Sequence, residues 1–259
     1  KPQSTRDRIV GIRTDADTQM VLLDTPGLLA PRYALQTAMR GVALQALRDA
    51  DVVLYLADAT EGPPPALAAA AQLEAVPRVP VLLVLNKVDA LSVEASASLR
   101  EACPDAQLIS AERGDGVDEL LDRVRTLLPV SPFLYPEDEI STQTLRFFAA
   151  ELVRETALEQ LEEEVPYSVA CEVEEFREDR SPVYIRAVLY VERDSQKRIL
   201  IGAKGGRIRD VGRVARGKIE TLIGTAVYLD LWVKVLPNWR RNERALRRFG
   251  YVVPKEGGP

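Results

Sequence analysis

The sequence predicts an α/β unit with a doubly wound sheet, followed by a smaller α+β unit. Three observations carry this prediction. Apolar runs alternate with helical stretches from Ile9 to about Leu128; a proline-rich break follows at Pro129 to Glu139; beyond it the order becomes α-β-β-α-α-β. At 259 residues the chain is long for one domain and comfortable for two. The expected division is 1–128, a connecting segment over 129–140, and 141–259.

In the first unit Ile9 to Arg13, Met20 to Leu23, Val52 to Ala57, Val79 to Leu85 and Gln107 to Ile109 read as strands. Ala34 to Arg48, the alanine-rich Pro65 to Glu74, Ser92 to Glu101 and Val117 to Leu128 read as helices. The middle strands are apolar throughout, as expected where helices cover both faces of a sheet. Three prolines among acids and aromatics in Pro129 to Glu139 exclude a continuing helix.

In the second unit Ser141 reads as the N-cap of a helix to about Leu161 that carries Leu145, Phe148, Ala149 and Leu152. Ser168 to Arg177 and Val183 to Val191 read as strands. The apolar stretch Ile199 to Ile201, a glycine loop, a helix from about Arg207 to Ile223 and a strand Val227 to Leu236 follow. Val227, Leu229, Leu231, Val233 and Val235 fall on one face of that strand, Asp230 and Lys234 on the other.

Composition narrows the function classes. No apolar run approaches the ~20 residues needed to span a bilayer, and no signal-peptide pattern opens the chain. Cys103 and Cys171 form no C-x-x-C pair and histidine is absent, which argues against a zinc site or a disulfide framework and for the cytoplasm. The net charge of -5 hides an asymmetry: Gln196 to Lys255 holds 15 basic and 4 acidic residues, the remainder 19 and 35. A block at +11 against -16 points to a polyanionic partner for the C-terminal region, with a solvated helix face as the other reading.

Three strand ends carry candidate nucleotide chemistry. Asp24-Thr25-Pro26-Gly27 follows the run ending at Leu23, where carboxyl ends of parallel strands line a ligand crevice. A carboxylate there can hold Mg²⁺ through a water, and Gly27 lets a backbone N–H approach a γ-phosphate; a plain type II turn is the alternative. Asn86-Lys87-Val88-Asp89 ends the next apolar strand. Asp89 could accept both hydrogen bonds of the guanine N1–H and 2-amino group, Asn86 could tie neighbouring loops, and the Lys87 stem could pack along the base; Asp89 could instead cap the following helix. Ser110-Ala111-Glu112 ends a third strand, where the Ala111 N–H could contact guanine O6.

In the basic block, Gly202-Ala203-Lys204-Gly205 is a G-x-x-G turn between two helices, followed by Gly206, Arg207 and Ile208. Two glycines permit a tight turn against a sugar-phosphate backbone and Lys204 adds charge where phosphates would pass, as a KH domain clamps about four nucleotides. RNA contact is thus expected from Gly202, Ala203, Lys204, Gly205 and Arg207. Arg240, Arg241, Arg244, Arg247 and Arg248 lie in an expected terminal helix, Trp239 to Phe249, as RNA contacts or a solvated face; Trp232 and Trp239 could equally be core.

The order D-x-x-G, N-K-x-D, S-A-E resembles the translation-factor class of P-loop GTPases, and together with G-x-x-G it resembles the bacterial Era family from Lys1 to roughly Val253. The resemblance implies a P-loop GTPase-type doubly wound sheet followed by a type II KH domain, with GTP/GDP and Mg²⁺ as ligands. It makes Lys1 to Arg8 similar to the switch I segment, with Thr5 favoured over Ser4 as the Mg²⁺ threonine beside Asp24 acting through water. It places Asp24, Gly27, Asn86, Lys87, Asp89, Ser110 and Ala111 at the nucleotide. Leu28 stands where Ras-like enzymes carry the water-orienting glutamine, so no catalytic residue is assigned. As partners it implies the 3′ region of small-subunit ribosomal RNA and the small subunit during its maturation. It also implies a monomer in the cytoplasm, peripherally associated with the inner membrane.

One departure shapes the expectation. The chain opens at Lys1 without an initiator Met, and no G-x-x-x-x-G-K-[ST] string occurs in it. The first strand and P-loop are therefore expected to be absent, leaving two apolar edges in the sheet. Either about 40 residues precede Lys1 in the intact protein, by the ~30-residue scale of a βαβ unit, or the chain as it stands does not bind GTP. The alternatives are a non-catalytic KH RNA-binding protein with a degenerate G domain, and a double-GTPase ribosome factor, against which Gly202 and Gly205 count.

Overall fold

The computed structural model describes residues 5–28, 30–161 and 165–253. Ser4, weighed above against Thr5, lies outside them. The described chain opens with a hairpin: β1 (Ile9–Thr14) and β2 (Gln19–Asp24) pair antiparallel from Ile9↔Asp24 to Thr14↔Gln19. The turn is closed by the Asp15 N–H donating to Thr18 O at 2.8 Å. Val10, Ile12 and Met20 are buried on this hairpin, which is the period-two pattern of a half-covered sheet.

This corrects the expectation of a sheet without its first strand. The sequence predicts a strand over Ile9 to Arg13 and places a further strand ahead of it. Among the described residues β1 is the first strand, and its antiparallel partner β2 begins after a four-residue turn.

Next come α1 (Ala34–Asp49), β3 (Val53–Asp58), α2 (Leu67–Ala70), β4 (Val81–Asn86), α3 (Val93–Ala102), β5 (Gln107–Leu108) and α4 (Val117–Leu127). β3, β4 and β5 form a parallel sheet in that order. Val84 and Leu85 on the central strand are fully buried, each fully buried aliphatic contributing about 1.5–3 kcal/mol. The register runs from Val53↔Val81 to Asp58↔Asn86, so Asp58 and Asn86 stand side by side at the carboxyl ends. β2 and β3 belong to separate sheets, and a cavity of about 1150 Å³ lies between them, lined among others by Val21, Leu23, Leu54 and Leu56.

The second unit holds α5 (Leu145–Gln160), β6 (Ala170–Arg177), β7 (Val183–Val191), α6 (Asp194–Ile201), α7 (Gly206–Ile223), β8 (Val227–Val235) and α8 (Glu243–Arg248). The sheet order is β6-β7-β8, with β6 antiparallel and β8 parallel to the central β7. Alternate residues of β7 (Val183, Ile185, Ala187, Leu189, Val191) face α5 and α7 through Val153, Ala157, Val211, Ala215 and Ile219. Val188 and Tyr190, on the opposite face, meet Trp239 and Leu246 together with Leu35 and Met39 of α1.

Three elements differ from expectation for local reasons. The alanine-rich segment forms only Leu67–Ala70, because a run of alanines has little to bury and Gln72 turns into positive φ. α5 is capped by Thr144, whose Oγ1 accepts the Phe147 N–H; Ser141 is engaged elsewhere, donating to Val10 O at 2.5 Å. The expected terminal helix is a 3-10 turn, Trp239–Arg241, and then α8, with Asn242 capping the Ala245 N–H. No helix among the described residues is long and apolar enough to cross a membrane.

Candidate nucleotide site and nucleic-acid interface

The nucleotide candidates gather at the carboxyl ends of β2, β4 and β5. Asn86 closes β4, and its Oδ1 accepts the Lys87 N–H at 2.8 Å and the Ala111 N–H at 2.9 Å. This joins the N-K-x-D and S-A-E segments. The Ala111 N–H, a candidate contact for guanine O6, is engaged by Asn86 in this structure. Lys87 takes a left-handed backbone (φ 69°, ψ 33°) that turns its side chain back over β3, where Nζ donates to Asp58 Oδ2 at 2.5 Å.

Asp58 was not among the sequence candidates, although a carboxylate ending an apolar strand is a visible signal. The Lys87 ammonium pulls its carboxyl to about 2, helped by the Thr60 hydroxyl and N–H. The Ser110 hydroxyl beside Asp89 likewise holds that carboxyl below its usual range, with Arg113 adding a smaller pull. Asp89 is thus an ionised, half-buried acceptor pair, the state that recognition of an N1–H and an amino group requires. Ser110 itself is buried. The loop after it closes through Gly114 N to Ser110 O at 2.8 Å and Ser110 N to Asp115 O at 2.9 Å. Gly116 is required there: at φ 73° a Cβ would stand 2.4 Å from Leu108 O.

On the phosphate side, Thr5 Oγ1 donates to Asp24 Oδ2 at 2.9 Å, so the two proposed metal residues meet. Gly27 has open space around its Cα, and Leu28 is half-buried beside it.

In the second unit the G-x-x-G turn joins α6 to α7. Gly202 has φ 73° and ψ 177°, and a Cβ there would lie 2.8 Å from Arg207 Cβ and 3.0 Å from its N, so only glycine fits. Lys204 also sits at positive φ, 51°, and its side chain is exposed at the crest. Arg207 folds back, donating to Ile199 O at 3.0 Å near the end of α6. Arg209, not singled out from sequence, braces the turn by donating to Gly205 O and Lys204 O. The loop is therefore held by its own arginines, with Ala203 and Lys204 presented outward.

The C-terminal arginines separate into two kinds. Arg240 is largely buried and paired with Glu192 at 2.5 Å, while Arg248 reaches Glu172 and Tyr190. Arg241, Arg244 and Arg247 are exposed. Trp239 is fully buried core, whereas Trp232 is 54% exposed with Nε1 donating to Asp230.

A strand-end constellation selecting a guanine nucleotide and a braced G-x-x-G turn on an α+β unit together define a GTPase that carries an RNA-binding module. Comparisons with known proteins agree. The family described as 50S ribosome-binding GTPase matches residues 1–87, and the KH domain family matches residues 164–240. GTPase Era of Geobacter metallireducens is 42% identical over 97% of this chain and 87% of its own length. GTPase Era of Carboxydothermus hydrogenoformans is 40% identical with the same coverage. Among solved structures, Era in complex with MgGDPNP and nucleotides 1506–1542 of 16S ribosomal RNA superposes with a TM-score of 0.88 at 36% identity, over 97% of this chain and 88% of that one. A tyrosine-to-alanine variant of Aquifex aeolicus Era bound to GDP·AlF4⁻ gives 0.88 and 36%, over 97% and 89%.

The chain belongs to the Era family: it is a GTP-binding and GTP-hydrolysing ribosome assembly factor with a KH domain. The match also corrects the expectation that the N-terminal part of the GTPase domain is missing. The GTPase family aligns from residue 1, and the Era fold is matched over 97% of the chain, so the segment leading into β1 belongs to that domain.

Proposed function

We propose that the protein uses GTP and Mg²⁺ to control binding of the 3′ region of small-subunit ribosomal RNA through its G-x-x-G turn during small-subunit maturation. The observation that carries this reading is the Asn86 to Ala111 hydrogen bond, which builds one guanine-facing edge from two separate loops in a chain that also holds the constrained Gly202 turn. The relative crystallised with nucleotides 1506–1542 of 16S ribosomal RNA and MgGDPNP names the ligand classes.

In this reading Asp89 accepts from the guanine edge, Lys87 flanks the base, and Asn86, Ser110 and Ala111 hold the loop that faces it. Gly27 lies against the terminal phosphate. Thr5 and Asp24 supply hard oxygen donors 2.9 Å apart, which suits Mg²⁺ held by few protein ligands together with phosphate oxygens. An ion held by Thr5 and Asp24 would supply neutralisation of charge on the phosphates. Gly202, Ala203, Lys204, Gly205 and Arg207 form the RNA clamp, with residues 1–128 as G domain, 129–140 as connector and 141–259 as KH domain. The protein works as a monomer in the cytoplasm, touching the inner membrane only peripherally.

Titrating GTP and ATP in parallel tests the nucleotide half. A GTP preference reduced by Asp89→Asn is expected, and equal affinities in the unaltered protein would overturn the reading. For the RNA half, replacing Ala203 and Lys204 together by aspartates should abolish single-stranded RNA binding at fixed salt while nucleotide binding persists. Sedimentation with lipid vesicles, and light scattering for mass, test the membrane and monomer statements.

A further inference from the structure

Arg6 follows Thr5 in the chain, yet the two side chains serve different units. Thr5 turns to Asp24, while the Arg6 guanidinium lies in the second unit, with Nη1 donating to Val169 O at 2.6 Å and Nη2 to Tyr167 O at 2.9 Å. It is 1% exposed and lies 5.6 Å from the centre of the Trp239 ring. Trp239 Nε1 donates to the carbonyl between these two, Ser168 O, at 2.8 Å. Three successive carbonyls leading into β6 are thus held by one arginine from the N-terminal segment and one tryptophan from the C-terminal turn.

A buried guanidinium stays charged, and once in place it cannot leave its acceptors without becoming an uncompensated charge. Successive Cα atoms are about 3.8 Å apart, so with Arg6 fixed Thr5 is confined to a shell of that radius around it and any larger separation must pull on Arg6. The second nucleotide segment reaches the same place. Past Asp24 to Gly27, the chain enters α1, whose Leu35 and Met39 pack with Trp239 and Leu246. Next to Trp239, Arg240 lies over the Tyr33 ring at 5.2 Å and pairs with Glu192. Gln196 of α6 accepts the Glu192 and Arg193 N–H groups, and α6 runs directly into Gly202.

We propose that Arg6 is a positioning residue: it ties the placement of Thr5 at the nucleotide to the seat of the KH domain, and through it nucleotide state sets RNA affinity. This rests on the nucleotide-controlled reading above. A spatial route is not itself coupling, so the test measures coupling directly.

The dissociation constant of a single-stranded RNA oligonucleotide of small-subunit 3′-terminal sequence is measured at fixed salt with GDP and with a non-hydrolysable GTP analogue. Unaltered protein, Arg6→Lys and Arg6→Gln are compared. The unaltered protein is expected to show a ratio between the two states of roughly 5–150, the usual range of coupled sites. Arg6→Gln should bring it near 1. Arg6→Lys should fall between, since an ammonium cannot fork to two carbonyls as a guanidinium does. The RNA-induced change in nucleotide affinity must shrink by the same factor. If Arg6→Gln does not fold, the lysine variant decides, and a ratio equal to the unaltered one overturns the proposal. A ratio near 1 in the unaltered protein overturns nucleotide control itself and Arg6's part with it. A ratio fully retained in Arg6→Gln overturns Arg6 alone.

Discussion

Asn86 Oδ1 and the Ala111 N–H, 25 residues apart in sequence, are 2.9 Å apart in space, and that contact holds two of the three nucleotide segments together. Asn86→Ala removes this bond and the one to the Lys87 N–H. With each bond worth about 0.5–1.5 kcal/mol, guanine nucleotide affinity is expected to drop on the order of tenfold. A fluorescent GDP titration measures this, and undiminished affinity would show that the loops hold their places without Asn86.

The Lys87 to Asp58 pair makes a pH prediction. The folded Asp58 carboxyl titrates at about 2, below its usual 3.8. A depressed carboxyl contributes stability that is complete above the usual value and is lost as pH falls through the folded one. The Asp58 carboxyl carbon should therefore titrate by NMR near pH 2, and Lys87→Met should move it up toward 3.8. No movement on that substitution would remove Lys87 as the cause.

Gly202 and Gly205 share a φ of 73° but not their surroundings. Alanine at either takes on the left-handed backbone cost of roughly 1–2 kcal/mol. Only at position 202 would the new Cβ also press on Arg207, at 2.8 Å. Gly202→Ala should lower both the melting temperature and RNA affinity more than Gly205→Ala does; the reverse order in a thermal melt would contradict the loop geometry.

Two tryptophans separate core from surface. Trp239→Ala should destabilise the fold by about 3–5 kcal/mol, because a fully buried ring leaves a cavity. Trp232→Ala, on a ring already 54% exposed, should cost less than about 1.5 kcal/mol, mainly the bond to Asp230. Urea denaturation of both variants checks the contrast.

What sequence could show follows from range. β4 was legible because Val81 to Leu85 is uniformly apolar, and the strand-end segments were legible because each follows such a run. Half-buried Asp89 and exposed Lys204 sit in short local motifs whose geometry sequence describes well. Interactions set by distant chain were invisible: Arg6 finds its carbonyl acceptors 161 and 163 residues away. For the same reason Ser141 gave way to Thr144 as a cap, since its hydroxyl answers Val10 instead. The bond from the exposed Arg207 to Ile199 O, across the turn, is likewise a contact that spacing alone does not show. The missing first strand was expected from the absence of a G-x-x-x-x-G-K-[ST] string, whereas β1 pairs antiparallel with β2.

The segment joining the two units is stitched down along its length. Gln19 Oε1 accepts the Leu134 and Tyr135 N–H groups, Ile12 N donates to Ile140 O, and Gln143 answers both Val10 and Arg8. Its conformational entropy is therefore surrendered when the hairpin folds, not when RNA arrives. The RNA module does not wander on a tether whose length sets a local concentration, as it would on a glycine-serine linker. Lengthening this segment by a few residues would change geometry before it changed reach.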